Sequence, residues 1–281
     1  MGVVRLKEVK NAFPYRWSWA LLGLLLAQAI LGLVWSDAYR DVDWIRATWY
    51  GNDWVTLVAA APLLVAGMLL TKRGSAVGVL LWLGVLGYAV YNYAFYMVGA
   101  ALNVFFPLYA AILVLSVANV ILVLTRLDPA EVKDHFRPRT PVRTIGGFYI
   151  FLGLGLSVVW LGMWAAYVFG ARPPPVGSEV FKVVAGFDMT LMVPVLSVGG
   201  VLLWRRHPWG YVGAPLAGIQ AMLYLFVLAV NAGVLAARGL GETPGELPIW
   251  GTLFAFTSFA TMVLLIMVRG ESAPGERSVA T

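Results

Sequence analysis

Apolar and polar positions along this chain fall into long alternating blocks. A helix needs about 20 apolar residues to cross the ~30 Å hydrocarbon core of a bilayer. Eight windows meet that requirement: residues 17–35, 54–71, 76–98, 102–125, 144–169, 183–204, 209–236 and 249–268. They predict an all-α polytopic membrane protein with eight transmembrane helices, numbered here as spans 1 to 8. Asp188 is the one Asp, Glu, Lys or Arg inside a window, and Asp53 stands at the edge of another. Charge is expensive at membrane depth, so this segregation supports the span boundaries. Merging windows would bury Lys72-Arg73 or Arg205-Arg206, which argues against seven spans.

Composition agrees with that pattern. The 281 residues are 60% hydrophobic and 12% charged, with a mean hydropathy of +0.81. Soluble chains run near ~45–50% apolar and ~25% charged. A soluble enzyme and a disordered chain are both excluded. The first window follows basic residues, as a signal peptide does, but its length and the lack of a small-residue cleavage site favour a retained span.

The distribution of Lys and Arg sets an expected orientation. With the N-terminus inside, 15 basic residues fall on inner segments, and five on outer ones: Arg40, Arg46, Arg172, Lys182 and Arg238. The expectation is a multi-pass plasma-membrane protein with both termini cytoplasmic. The net charge of +6 reflects this topology. The longest polar segment, residues 126–143, mixes acids with bases and is too short for a nucleic-acid-binding domain, so it is expected to be a solvated linker.

The chain also repeats itself. Gly51-Asn-Asp53 and Gly186-Phe-Asp188 are each followed by Thr-Leu and then by a proline, Pro62 or Pro194. The helices carrying them end alike, in Gly67-Met-Leu-Leu-Thr-Lys-Arg73 and Gly200-Val-Leu-Leu-Trp-Arg-Arg206. A tandem 4+4 parallel repeat is expected: residues 1–127 as the first four-helix unit, 128–143 as the cytoplasmic linker, and 144–281 as the second unit with a short cytoplasmic tail. Units with an even number of spans share one orientation, so a pseudo-twofold axis would lie along the membrane normal. The segments before spans 2 and 6 read either as short interfacial helices broken at Gly51 and Gly186, or as the first turns of long spans.

Several chemistries are excluded by absence. There is no cysteine, hence no disulfide, thiolate nucleophile or iron–sulfur cluster. His135 and His207 both lie in polar segments, which leaves no axial ligand for a haem inside the bundle. No Walker loop, HExxH or GxSxG motif occurs, and no lysine lies well inside a span. No cofactor and no metal are expected.

The candidate ligand-binding residues are Asp188, Asp53, Asn92, Tyr96, Asn231, Gln220 and Tyr224. An Asp at a helix start caps backbone N–H groups and meets the positive end of the helix dipole. Asp53 is expected to be such a cap. Asp188, with apolar residues on both sides, fits a cap or a proton or cation site equally. Tyr88, Asn92 and Tyr96 recur every four residues on one face of span 3, and Gln220 and Tyr224 share a face of span 7 with Asn231 nearby. Buried amides must find partners, and interhelical hydrogen bonds account for each taken singly. Their density towards the outer half points instead to a polar, aromatic pocket. The first expectation is binding or transport of a small solute or lipid-like molecule in the outer half of the bundle. The alternatives are a structural or regulatory membrane subunit with a protein partner or as a homo-oligomer, and a membrane enzyme acting on a lipid or isoprenoid. The expected surroundings are the lipid bilayer, with no nucleic acid.

Overall fold

The computed structural model describes residues 13–174, 176–240 and 246–269. Both chain ends, with Arg5, Lys7, Lys10 and Arg277, lie outside the described residues. Among the described residues the fold is all-helical, with eight helices long and apolar enough to span a membrane. Spans 1 to 8 cover Pro14–Val34, Asp43–Lys72, Ala76–Gly99, Phe106–Leu124, Val142–Gly170, Ser178–Trp204, Gly210–Ala237 and Glu246–Ile266.

Spans 2 and 6 begin well before their apolar windows. Neither Gly51 nor Gly186 breaks the chain, because Asp43–Val55 and Ser178–Phe187 are continuous helices that run on into the membrane segment. The expected cap at Asp53 is therefore corrected: Asp53 sits in the third turn of a helix whose first residue is Asp43. Glycine is common in membrane helices, and here it makes room. A methyl group on Gly51 would lie 1.9 Å from the Asn231 side-chain oxygen of span 7.

The irregularity lies a few residues further on. Residues Thr56–Ala60 in span 2 and Asp188–Met192 in span 6 each form a π-helical turn. Each leads into a 12-residue α-helix, Ala61–Lys72 or Val193–Trp204, with Pro62 or Pro194 as its second residue. A proline has no N–H to donate, and its ring collides with the carbonyl four residues back in a regular α-helix. A widened turn before the ring removes that collision. Single π turns inside helices are frequent at functional sites. Pro107, by contrast, lies in the first turn of span 4, where a missing N–H costs nothing.

Other local features recur at the spacing of the two prolines, 132 positions. Gly74 and Arg206 both adopt left-handed backbone, with φ of 84° and 56°, in the turns after spans 2 and 6. Gly78 and Gly210 then let the next helix lie against the preceding one: a Cβ on either would meet that helix's backbone at 2.3 Å.

Spans 1 to 4 close on themselves, with span 1 packed on spans 2 and 4, and span 3 packed on spans 2 and 4. In the other half span 6 lies between spans 5 and 7, and span 8 lies on span 7. Spans 5 and 8 do not pack along each other; a 2.9 Å hydrogen bond between Tyr149 and Thr261 joins them. The halves meet through span 3 against span 7, the first part of span 2 against span 7, and the first part of span 6 against span 3. Span 3 is consequently the most enclosed helix, with 83% of its apolar window buried.

The connection between the halves is more ordered than a solvated linker. Asp128 caps a short helix, Pro129–Asp134, by accepting from Ala130 N at 2.9 Å. Val132 and Phe136 bury their side chains, Phe136 packs on Tyr211 of span 7, and Arg137 N donates to Met267 O at 2.9 Å. Widely spaced apolar residues within a charged stretch give it a buried face. We call the end of the bundle opposite this connection the far end.

Candidate functional site

Asp53 is completely buried, and its carboxylate accepts hydrogen bonds from three side chains on three segments. Gln28 of span 1 donates to Oδ1 at 3.1 Å, and Tyr96 of span 3 donates to the same oxygen at 2.7 Å. Tyr39, in the connection between spans 1 and 2, donates to Oδ2 at 2.7 Å. The Gln28 amide is held in turn: its NH2 group also donates to the Tyr39 oxygen at 2.9 Å, and its Oε1 accepts from Tyr93 at 2.6 Å. The Tyr96 ring packs at 4.6 Å from the Trp49 ring and 5.0 Å from that of Tyr109. Every group that bonds the carboxylate is neutral.

Asp188 forms a second centre. Tyr91 of span 3 donates to its Oδ1, and Trp160 of span 5 donates to Oδ2 at 2.8 Å. Tyr224 of span 7 packs its ring 4.7 Å from that of Tyr91, and Phe181 packs 5.3 Å from Trp160. This carboxylate also meets side chains of other helices.

Span 3 serves both centres because of helix geometry. Successive residues turn by about 100°. Tyr93 and Tyr96 lie about 60° apart and face the first half, while Tyr91 lies about 140–160° from either and faces the second.

The seven candidate residues thus divide. Asp53 and Tyr96 come together at the first centre, and Asp188 and Tyr224 lie about the second. Asn92 is buried between spans with its amide nitrogen unpartnered. Asn231 donates to Asn52 Oδ1 at 3.4 Å, one residue from Asp53. Gln220 lies away from both carboxylates, beside Met192 and Gly87. A ring of Asn92, Tyr96 and Asn231 around Asp188 is not formed, because Tyr96 faces the other centre. Gln28 and Tyr93, polar groups of spans 1 and 3, join the first centre, while Tyr39, Tyr91 and Trp160 are partners that no linear pattern singles out.

A cleft of about 230 Å³ lies beside the first centre at the far end, lined by Gly32, Ser36, Asp37, Tyr39, Arg46 and Arg238 among others. Arg46 is neutralised locally, pairing with Asp43 and, at 3.5 Å, with Asp37. The Arg238 guanidinium lies 4.8 Å from the centre of the Tyr50 ring. Burial, reinforced by the Asp53 carboxylate, holds the Tyr39 hydroxyl far above the ordinary tyrosine range. It therefore stays protonated and acts as a neutral donor.

The wall between cleft and carboxylate is thin. Gly32 lines the cleft, yet a methyl group on it would lie 2.1 Å from Asp53 Oδ2 and 2.4 Å from the Tyr39 hydroxyl. No known protein family, curated protein or solved structure matches the chain.

Proposed function

We propose that the protein binds a small solute, or the polar head of a lipid-like molecule, in the far-end cleft and carries it across the membrane. The observation that carries this reading is the shared wall: Gly32 and Tyr39 line the cleft and touch the Asp53 carboxylate. A ligand in the cleft would therefore act directly on the buried polar centre. The volume is below the ~300–1,000 Å³ of drug-sized pockets, which favours a small molecule. Arg238, which among the described residues meets an aromatic ring rather than a carboxylate, favours an anionic or zwitterionic group.

In this reading the far end is the outer face and both termini are cytoplasmic, as the excess of Lys and Arg on the opposite segments argues. The site belongs to a bundle built by duplication. That origin is supported by the paired π turns, the matching left-handed turns and close-packed glycines, and the crossed packing of spans 2 and 6 on the opposite halves. Two π-turned helices, each bearing a buried carboxylate, would be the parts that change shape during transport.

The test is thermal unfolding of the purified protein against a panel of small anionic and zwitterionic solutes. At least one should raise the melting temperature of the wild type, and its effect should vanish in Arg238→Gln and in Ser36→Trp, which fills the cleft. A solute that stabilises wild type and Ser36→Trp equally binds elsewhere and would remove the cleft from the account.

A further inference from the structure

Among the described residues no counter-charge bonds Asp53. The residues facing it are Gln28 from span 1, Tyr39 from the connection, Tyr88, Tyr93 and Tyr96 from span 3, and Tyr109 from span 4. On its own helix Thr56 lies beside Tyr88, and span 7 contributes the neutral Asn231, bonded to Asn52. Arg46 and Arg238 line the cleft beyond Gly32 and Tyr39, where Arg46 pairs with Asp43 and Asp37 and Arg238 lies over the Tyr50 ring; among the described residues no Lys, Arg or His bonds the carboxylate. An isolated carboxylate removed from water is costly and is relieved by pairing or by taking up a proton. The three donors already fill its surroundings and leave no room for a metal cation; they also favour the ionised form, so a proton enters only as one of them turns away.

The local hydrogen bonds can accommodate that proton. Tyr109 is buried, and its hydroxyl approaches Tyr39 without completing a hydrogen bond. A hydroxyl hydrogen is free to rotate. If Asp53 Oδ2 carried a proton and donated it to the Tyr39 oxygen, the Tyr39 hydroxyl could turn to the Tyr109 oxygen. Thr56 and Tyr88, also buried with unpartnered hydroxyl oxygens, add further rotatable groups near the carboxylate.

We propose that Asp53 is a proton-binding site loaded from the far-end cleft through the Tyr39 hydroxyl. A hydronium in the cleft gives a proton to the Tyr39 oxygen while Tyr39 passes its own proton to Asp53 Oδ2. The products are water and a neutral carboxylic acid. No bond between heavy atoms changes, and no electrons are transferred. Tyr39 returns by rotation, and Gly32 keeps the path short because it places no side chain between cleft and carboxylate. This deepens the solute-binding reading, since it rests on cleft and carboxylate forming one site. It assigns the proton as the second species that the site handles.

Infrared difference spectroscopy on the protein in lipid, with aspartate carrying ¹³C in the carboxyl group, tests the proposal. Asp53 and Asp188 are the buried aspartates among the described residues. The isotope-shifted carboxylic C=O band should rise on acidification, persist in Asp188→Asn, and be absent in the isosteric Asp53→Asn. Survival of the Asp188→Asn band keeps the assignment testable even if Asp53→Asn does not fold. After a pH jump, Tyr39→Phe should slow proton uptake on the order of 10²-fold, the loss expected when a positioned proton-transfer group is removed. A band that disappears in Asp188→Asn, or persists in Asp53→Asn, overturns the site. An unchanged rate in Tyr39→Phe overturns the route. No solute is needed, so a proton band without solute binding leaves this proposal standing alone, and solute binding without the band removes only the proton.

Discussion

Gly32 of span 1 and Asp53 of span 2 approach so closely that a single methyl group on the glycine would overlap the carboxylate, at 2.1 Å from Oδ2. Alanine is the better helix former by ~1 kcal/mol, so the glycine is explained by what it touches. Replacing Gly32 by Ala should lower stability by about 1–3 kcal/mol, the usual range for overpacking. Gly23→Ala in the same helix, where a Cβ meets nothing within 4 Å, should be neutral or slightly stabilising. Reversible unfolding in mild detergent compares the two, and equal effects would contradict the close contact.

The second carboxylate gives a separate prediction. Trp160 donates a 2.8 Å hydrogen bond to Asp188, and interhelical hydrogen bonds in membrane proteins are worth roughly 0.6–2 kcal/mol. Trp160→Phe should destabilise by about that amount. Trp164→Phe, one turn on and 47% exposed, should change little. The same unfolding measurement decides, and indistinguishable variants would mean that the Trp160 bond contributes nothing.

Orientation is open to direct labelling because the chain has no cysteine of its own. Arg139→Cys and Arg172→Cys both place the new thiol at an exposed position. A membrane-impermeant maleimide on intact cells should label Arg172→Cys and leave Arg139→Cys unmodified until the membrane is opened. Labelling of both from outside would refute the assigned topology.

The spans were legible because hydrocarbon thickness and the cost of charge leave few ways to place them; all eight expected windows lie largely within observed helices. The starts of spans 2 and 6 were harder. Gly51 and Gly186 resemble breaks in a linear pattern, and only the position of the Asn231 side chain shows why a glycine belongs inside the helix at Gly51. Pro62 and Pro194 marked the right helices, but a missing N–H does not reveal whether the chain kinks or widens.

The site was legible in its acids and not in their partners. Tyr39 lies in a polar connection that carries no periodicity. Trp160 looks like any aromatic of a lipid-facing helix. The four-residue stripe Tyr88, Asn92 and Tyr96 selects one face of span 3, whereas this helix is enclosed on all sides and uses Tyr91 on another. Its four tyrosines, Tyr88, Tyr91, Tyr93 and Tyr96, spread over an arc of about 200°, were the available sign, since hydroxyls on several faces of a membrane helix need partners on each.

Cryo-electron microscopy of the protein in lipid nanodiscs, with the solute that raises its melting temperature, will show whether the far-end cleft and Asp53 form one binding site. Density is expected in the cleft, in contact with Arg238 and against Tyr39, with the Tyr39–Asp53 hydrogen bond retained or reversed. Density between the outer parts of spans 5 and 8, with the cleft empty, would contradict it.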